Sequence, residues 1–381
     1  MLRISHIALA ALTCGLFFVA GQPPASGAAN PATRVVLPAL ASDSSPVATR
    51  PYRMGWFFQP PEPTVQSVLK AMPVAAGYSD ALLIQREAPW ERLLAGDSMQ
   101  TIAQEDYDGV ITYARALGLH VSILVDPLDG LDRTREGNEM RAAGRSLNEP
   151  EMRALHEQWV EFLAARYQPD YFGLASEINS LAARGDSTLF QNIQAMCNRL
   201  APRIRMLSPN TRVFVSFQVD EAWRRIPQLP SKIDHFVLTR AFDIDVLGLS
   251  TYPSFFFDDP SQIPLDYFSR LADASGKPVL IAEGGWSSDP TGQGETAASR
   301  AGQKAFMERF FTLLDTVQPE LVILLLFADL NLDAWIPVAP SNSDPERVRP
   351  FTHMGLANSN LEPKPALSVW SGRFKRPFFR D

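Results

Sequence analysis

Short apolar runs alternate with longer amphipathic segments along the chain after residue 50. Eight of these runs predict strands, and most of them are continuously apolar rather than alternately apolar and polar. Continuously apolar strands indicate a parallel sheet that is covered on its outer face. The predicted strands are residues 54–58, 81–85, 119–125, 171–175, 212–217, 245–250, 278–282 and 321–327.

The amphipathic segments between these strands carry the signals of helix ends. Thr64 is suited to cap the first helix, and Asn148 with Glu151 predicts a capping box at a later one. Gly118 and Gly276 are placed to end helices in the left-handed conformation. Strands and helices in strict alternation predict a single-domain (β/α)8 TIM barrel of the α/β class. A doubly wound open sheet is the alternative, but no glycine-rich phosphate loop follows the first strand.

The N-terminal segment is typical of an export signal. Residues 7–20 form an apolar run after a basic residue, and the run is too short to span a membrane. We therefore predict a signal peptide over 1–29, a flexible leader rich in Pro, Ala and Ser over 30–50, and the barrel over 51–381. The mature protein is then expected to be extracellular or periplasmic without stable membrane association, and a permanent membrane anchor is the alternative.

Composition narrows the classes of partner. The chain has 46% hydrophobic and 20% charged residues, as in ordinary globular proteins. Its formal net charge of −7 argues against nucleic acid or an anionic membrane as the partner. The histidines lack metal-ligand spacing, so we predict no metal and no cofactor. Beyond the signal segment only Cys197 remains, on an apolar helical face, and we predict a buried and unreactive thiol.

Two glutamates stand at the ends of apolar strands. Glu177 follows the fourth predicted strand and Glu283 follows the seventh. In a (β/α)8 barrel, residues just past the C-terminal ends of the strands line the mouth in which active sites are built. Either glutamate alone is better explained by an ion pair with a nearby arginine or by a contact with a helix N-terminus. Together, however, they supply the two carboxylates that cleavage of a glycosidic bond requires.

Four segments resemble the clan A glycoside hydrolase barrels, and within that clan the chain is most similar to the arabinogalactan endo-β-1,4-galactanase group. The resemblance implies a (β/α)8 fold and a retaining enzyme that acts on a β-linked polysaccharide or oligosaccharide. The segments are residues 173–179, 245–253, 277–286 and a closing stretch made of Gly355-Leu356 and 363–370.

The same resemblance implies roles for individual residues. Glu177 corresponds to the general acid/base, Glu283 to the nucleophile and Tyr252 to a hydrogen-bond partner that holds Glu283. The clan usually carries an asparagine immediately before the acid/base, where this chain has Ser176. Asn179 is the candidate to replace that amide in substrate binding.

Further substrate contacts are predicted from an arginine and three tryptophans. Arg86 matches the strand-two arginine that the resemblance places near the nucleophile. Trp56, Trp286 and Trp335 are candidates to stack on sugar rings, although packing at the top of the barrel is an equal alternative. The function predicted overall is an exported retaining glycoside hydrolase. A catalytically silent carbohydrate-binding barrel is the alternative, because Ser176 replaces the usual asparagine.

Overall fold

A computed structural model describes residues 48–224, 233–289, 298–338 and 345–380. Within these ranges, parallel strands close into one barrel surrounded by helices, which confirms the predicted (β/α)8 fold. The strands are β1 (Arg53–Phe57), β2 (Ala81–Glu87), β3 (His120–Asp126), β4 (Leu128–Asp129), β5 (Asp132–Glu136), β6 (Tyr171–Gly173), β7 (Arg212–Gln218), β8 (Val246–Thr251), β9 (Val279–Gly284) and β10 (Leu321–Leu324). Around the barrel they follow the order β1-β10-β9-β8-β7-β6-β3-β2, and β4 and β5 form a separate antiparallel hairpin.

The helices cover the outer face of the barrel. A π-helical turn, Gln104–Asp108, lies between two of them, and short 3-10 turns occur at Thr239–Ala241, Pro253–Phe255, Pro260–Gln262, Ile336–Val338 and Pro345–Phe351. The described α-helices are α1 (Val65–Ala76), α2 (Trp90–Ala95), α3 (Met99–Ala103), α4 (Gly109–Ala116), α5 (Asn138–Ala142), α6 (Pro150–Tyr167), α7 (Ile178–Arg184), α8 (Ser187–Leu207), α9 (Val219–Ala222), α10 (His235–Leu238), α11 (Ser269–Ser275), α12 (Arg300–Val317), α13 (Leu332–Trp335) and α14 (Pro365–Phe374).

Strand side chains alternate between the inside of the barrel and the helix layer, as successive residues of a strand point to opposite faces. The alternation divides the core into two clusters. A small cluster fills the inside of the barrel, and a larger one packs the outer strand faces against the helices. Members of the inner cluster include Leu83, Leu124, Phe214, Leu280 and Ile323.

Several local predictions are confirmed. The Thr64 side chain accepts a hydrogen bond from the backbone N–H of Ser67 and so caps α1. Gly118 and Gly276 adopt left-handed conformations, with φ of 80° and 65°. Cys197 is buried, and burial raises the pKa of its thiol to about 12, which keeps the thiol protonated and unreactive.

Other boundaries differ from the prediction. The capping box at Asn148 is wrong, because α6 begins at Pro150, which needs no hydrogen-bond partner in the first turn of a helix. The Asn148 side chain instead accepts a hydrogen bond from Asn192 at 2.9 Å. The fourth and eighth predicted strands are too long, since β6 ends at Gly173 and β10 at Leu324.

The two ends of the described chain meet at the N-terminal end of the barrel. The backbone of Arg50 bonds to Pro377 and Phe379, each at 3.0 Å. Its guanidinium donates to both carboxylate oxygens of Asp80, at 2.7 and 2.9 Å. Arg50 is therefore packed into the barrel, although the sequence places it at the end of the leader.

The predicted signal peptide, 1–29, and leader residues 30–47 lie outside the described residues. In the part of the chain that the structure describes, every helix is too short or too polar to cross a bilayer.

Candidate active site

Glu177 follows β6 in the barrel mouth, and its backbone is strained. Its φ is 49°, in the left-handed region that a residue with a side chain rarely adopts. Such a conformation costs on the order of 1–3 kcal/mol and is concentrated at functional sites. The backbone N–H of Glu177 donates to Ser216 Oγ on β7 at 2.9 Å, so the neighbouring strand holds the turn in place.

Both oxygens of the Glu177 carboxylate accept hydrogen bonds. The Ser250 hydroxyl on β8 donates to Oε1 at 2.6 Å, and Arg133 Nε donates to Oε2 at 3.2 Å. Glu177 and Arg133 are both buried, so the ion pair is largely shielded from water. Two donors on one carboxylate fix the direction in which it points.

Arg133 reaches the mouth from the β4–β5 hairpin, which follows β3. Its guanidinium also pairs with Asp126 at the end of β3, whose Oδ2 accepts from Gln85 at 3.2 Å. Although burial acts to lower it, the negative charges of Asp126, Glu177 and Glu283 raise the pKa of Arg133. Arg133 is therefore a fixed positive charge among three carboxylates.

A β-bulge near the end of β9 sets the direction of Glu283. Leu249 of β8 pairs with Ile281, but the next residue, Ser250, pairs with Glu283 rather than with Ala282. Strict alternation would turn Glu283 outward, because Ile281 packs in the outer cluster. The extra residue instead places Glu283 beside Ser250, which points into the mouth. Bulges beside active sites commonly re-aim a side chain in this way.

Glu283 is fully buried, and its two oxygens differ. Tyr252 donates its hydroxyl to Oε1, whereas Oε2 has no hydrogen-bond partner in the described part of the chain. Burial and the negative charge of Glu177 raise the pKa of Glu283 to about 8, while Arg133 and the Tyr252 hydroxyl act to lower it. Glu177 and Glu283 thus lie within electrostatic reach of each other.

Tyr252 is positioned by Asp220, which is itself buried. The backbone N–H of Tyr252 donates to Asp220 Oδ2 at 3.0 Å, and Tyr267 donates its hydroxyl to the other oxygen. Burial and the charge of Glu283 raise the pKa of the Tyr252 hydroxyl well above its ordinary value. The hydroxyl therefore stays protonated and donates to Glu283.

Tyr252 and two neighbouring aromatic rings, Phe255 and Phe351, form what we call the aromatic wall. The Phe351 ring meets Tyr252 edge-on with centroids 5.1 Å apart, and it meets Phe255 at 5.5 Å. Phe255 and Phe351 are both partly exposed. The wall thus places apolar ring surface next to Tyr252, the residue that bonds to Glu283.

Trp56 does not reach the mouth. It occupies an outward position of β1 and packs with its ring centroid 4.6 Å from Trp370 and 5.1 Å from Phe327. Alternation along the strand explains the difference, because its neighbours Gly55 and Phe57 occupy the inward positions. Trp56 supports the helix layer rather than a ligand.

Trp286 and Trp335 are also buried, with 1% and 3% of their surface exposed. Trp286 stacks on Phe306 of α12 at 5.2 Å, and Trp335 donates its indole N–H to the carbonyl of Pro61 at 2.9 Å. Neither ring presents an open face to a sugar, so packing at the top of the barrel is the role that the structure gives them.

Asn179 uses both ends of its amide within the protein. Its Nδ2 donates to the Gln218 carbonyl at 3.0 Å and lies 3.1 Å from His235 Nδ1, while its Oδ1 accepts from the Gln218 N–H at 2.8 Å. Asn179 therefore ties α7 to β7 and does not replace the amide missing at Ser176. The Ser176 hydroxyl bonds to Ser216 at 3.3 Å.

Arg86 faces the helix layer as well. Its Nη1 donates to the Asp106 carbonyl at 2.9 Å, and its guanidinium lies 4.7 Å from the centroid of the Tyr107 ring. It is Arg133, not Arg86, that bonds to Glu177. Sequence reasoning missed Arg133 because the hairpin also contains Arg135, and nothing local distinguishes the two arginines.

Ser216, Ser250 and Asp220 were also missed. The two serines are inward residues of β7 and β8. The alternation of side chains along each strand could have predicted that they point into the barrel. Asp220 lies two residues beyond the end of β7, as Glu177 lies just beyond β6, so the same strand-end rule could have found it. Within the described ranges, no group of three or more His, Cys, Asp or Glu side chains is arranged to hold a metal ion.

Comparison with known proteins gives structural matches only. No family model and no curated protein matches the sequence. A GH5_18 protein from Streptomyces cattleya, solved in complex with GlcNAc, matches with a TM-score of 0.62 and 14% identity over 86% of this chain and 81% of its own. Xylanase 10B from Thermotoga maritima matches with a TM-score of 0.56 and 12% identity over 85% of this chain and 95% of its own.

A β-D-glucuronidase from Dictyoglomus thermophilum matches with a TM-score of 0.56 and 15% identity over 88% of this chain. This chain spans only 52% of that glucuronidase. At such low identity the matches establish the architecture and leave the chemistry to be argued from the site. The chain is therefore a (β/α)8 barrel of the kind on which these glycan-related proteins are built.

Proposed function

We propose that this protein is an exported retaining glycoside hydrolase that cleaves a β-linked polysaccharide or oligosaccharide. The observation that carries the proposal is the pair formed by Glu177 and Glu283, two buried carboxylates in one barrel mouth that influence each other electrostatically. Retaining glycosidases use two carboxylates about 5–5.5 Å apart. The solved neighbours add support, because a xylanase and a β-glucuronidase share the fold.

Glu283 is the proposed nucleophile. Its Oε2, which has no partner among the described residues, attacks the anomeric carbon as the glycosidic C–O bond breaks. The Tyr252 hydroxyl stays on Oε1 and keeps the carboxylate oriented during the attack. The product of this step is a covalent glycosyl ester, which water hydrolyses in the second step.

Glu177 is the proposed general acid and base. It gives a proton to the leaving oxygen in the first step and takes a proton from the attacking water in the second. The first step therefore requires a proton on Glu177 and an ionised Glu283.

The aromatic wall supports a carbohydrate as the ligand. The faces of pyranose rings carry C–H groups, which pack favourably on aromatic surface, and Phe255 and Phe351 are partly exposed beside Tyr252. These residues would hold the sugar bound next to Glu283.

A second candidate function is a carbohydrate-binding barrel without turnover. The ion pair between Arg133 and Glu177 favours it, because Arg133 occupies a carboxylate oxygen that a general acid would have to present to the leaving group. The absence of the usual asparagine at position 176 points in the same direction.

Incubation with a panel of aryl β-glycosides and β-linked polysaccharides separates the two candidates. For the hydrolase we expect sugar release that is lost in Glu283→Gln and strongly reduced in Glu177→Gln. Glu157→Gln is the matched control, because Glu157 is a buried carboxylate on α6 that pairs with Arg199 at 2.6 Å, far from the mouth. Tight sugar binding without release by any substrate would favour the silent barrel.

Covalent trapping tests the individual roles. A 2-fluoro glycoside with an activated leaving group needs the nucleophile but not the acid. We expect mass spectrometry to show a glycosyl adduct on the wild type and on Glu177→Gln, and none on Glu283→Gln. Equal trapping of both variants would contradict the assignment.

We also propose export through a signal peptide over residues 1–29. N-terminal sequencing of protein recovered from the medium or the periplasm tests this proposal, and an uncleaved N-terminus in a membrane fraction would replace it with the anchor.

A further inference from the structure

We propose that a cavity beside the end of β2 is an accessory sugar site, in which Arg86 binds one unit of the glycan chain outside the barrel mouth. The inference rests on the proposed function and deepens it, because it names a second place at which the substrate is held. The cavity has a volume of about 140 Å³, and we call it the β2 cavity. Its charged lining residues are Arg86, Glu87, Glu91, Arg92, Asp106 and Glu139.

Arg86 supplies the β2 cavity with a hydrogen-bond donor that the protein does not use. Only 4% of the surface of Arg86 is exposed, and its Nη1 donates to the Asp106 carbonyl at 2.9 Å. Its Nη2 has no hydrogen-bond partner in the part of the chain that the structure describes. A buried polar group without a partner costs free energy, so a ligand that accepts a hydrogen bond from Nη2 is favoured.

The other arginine of the cavity is already occupied. Arg92 pairs with Asp97 and Glu105, each at 2.7 Å, and with Asp106 at 3.3 Å. These ion pairs hold Arg92 against the protein. Arg86 is therefore the cation on which we base recognition of a ligand.

The charges around the β2 cavity favour a neutral ligand. Two arginines face four carboxylates there, and this excess of negative charge opposes a phosphate, a sulfate or a carboxylate. The carboxylates are not arranged to hold a metal ion either, as found above for the described ranges. A neutral molecule with oxygen atoms that accept from Arg86 is the class that fits.

Sugar hydroxyls match such a wall, because each hydroxyl can both accept and donate a hydrogen bond. One hydroxyl can accept from Arg86 Nη2 while its neighbours donate to carboxylates, each of which offers about four lone-pair sites. A volume of about 140 Å³ holds several waters of about 30 Å³, yet is well below the roughly 300–1,000 Å³ of a pocket for a drug-sized ligand. The cavity therefore suits one sugar unit rather than a chain.

One wall of the β2 cavity is a π-helical turn. Gln104–Asp108 lies between α3 and α4, and it brings Asp106 and Tyr107 to the cavity. The centroid of the Tyr107 ring lies 4.7 Å from the Arg86 guanidinium, and this cation–π contact holds the arginine in place. Single π-helical turns are frequent at functional sites, and this one fixes the residue on which binding depends.

The β2 cavity is close enough to the mouth for one glycan to reach both. Glu87, which lines the cavity, ends β2 and pairs in register with Asp126 at the end of β3. The strand on the other side of β3 is β6, which leads to Glu177. With strands about 4.8 Å apart, the ends of β2 and β6 are separated by roughly 10 Å, which a short oligosaccharide can span.

The test compares substrates of different length in Arg86→Lys. The lysine can still donate to the Asp106 carbonyl, but it lacks the second arm of the guanidinium. The probes are β-1,4-linked glucose, mannose, galactose and xylose chains of six units, and the aryl β-glycosides of the same sugars. For the six-unit chain we expect KM to rise at least about tenfold, as for one lost hydrogen bond from a charged group. The kcat, and both constants for the aryl glycoside, should stay within about twofold of the wild type.

Calorimetry reads the same site without turnover. The Kd of the six-unit chain is measured in Glu283→Gln with and without Arg86→Lys, and we expect the added change to weaken binding by the same factor as it raises KM. Arg309→Lys is the matched control, because Arg309 also donates to a backbone carbonyl, that of Ile263 at 3.1 Å, and does not line the cavity. It should change neither constant.

A second variant tests the cavity without altering Arg86. Glu91 is exposed at the edge of the cavity, and in Glu91→Arg the longer side chain can pair with the carboxylates of the wall and fill the space. We expect the same selective rise of KM for the six-unit chain. If Arg86→Lys does not fold, this variant carries the test.

The outcomes separate the accessory site from the proposed function. Equal effects of Arg86→Lys on long and short substrates, or no effect on either, would overturn the accessory site even if hydrolysis is found. A wild type that binds none of the six-unit chains would overturn it as well. Absence of hydrolysis of every substrate, together with weaker binding of a six-unit chain in Arg86→Lys, would refute the hydrolase and leave the sugar site standing.

Discussion

His156 gives the protein a specific sensitivity to acid. It lies on α6, is fully buried, and stacks on Trp90 with ring centroids 5.9 Å apart. Neither ring nitrogen has a hydrogen-bond partner in the described part of the chain. Burial lowers the pKa of His156 to about 4, from an ordinary value of 6.5, because a buried imidazolium would be poorly solvated.

The sign of the effect follows from proton binding. Below about pH 6.5 the unfolded chain binds a proton at this histidine, whereas the folded protein does so only near pH 4. Stability is therefore fully present above pH 6.5 and is lost as the pH falls toward 4. The loss approaches about 3 kcal/mol at low pH, from roughly 1.4 kcal/mol per pH unit, and amounts to about 2 kcal/mol at pH 5.

His156→Leu removes this titration while keeping a similar volume. We expect the free energy of unfolding of the wild type to fall between pH 7.5 and pH 5 by about 2 kcal/mol more than that of the variant. Urea unfolding at the two pH values measures it, and the difference between the two proteins cancels the other titrating groups, Glu283 included. An identical pH dependence in both proteins would show that His156 is not the group responsible.

Two further predictions concern the mouth. Tyr252→Phe removes the donor to Glu283 Oε1, and a hydrogen bond to a charged group contributes about 1.5–3 kcal/mol, so kcat/KM at pH 7 should fall by about 10- to 150-fold. Because that hydroxyl lowers the pKa of Glu283, the rise of kcat/KM with pH should also move to higher pH, and an unchanged profile would contradict the contact. Phe351→Ala removes a ring of the aromatic wall worth about 0.5–1.5 kcal/mol, which should raise KM by about 2- to 12-fold with little change in kcat. Phe256→Ala is its control, since that ring packs on Phe255 at 6.4 Å. An equal effect of both variants would show that the aromatic wall has no specific role in binding the sugar.

The fold was predictable because its strands are buried on both faces. The continuous apolar runs that became β3, β7, β8 and β9 mark a covered parallel sheet without reference to any partner. The glutamates were found by the rule that a strand leads into the mouth at its C-terminal end. Both signals are local, so a single sequence is enough to carry them.

The surroundings of the glutamates depend on contacts that no local pattern encodes. Trp56 and Arg86 lie on strands as expected, but the alternation turns them toward the helices. Glu283 would have been turned outward by the same alternation, and only the bulge at Ala282 corrects it. Arg133 reaches Glu177 across 44 residues of sequence, a distance at which composition and periodicity carry no information.

The hydrogen-bonded seam that joins Arg50 to Pro377 and Phe379 has a consequence for how the barrel can be tethered. It lies at the N-terminal end of the strands, whereas both glutamates open at the opposite rim. A group attached through the residues before Arg50 would therefore hold the molecule at the N-terminal end of the barrel. The glycan substrate that we propose would then reach the open side without passing the point of attachment.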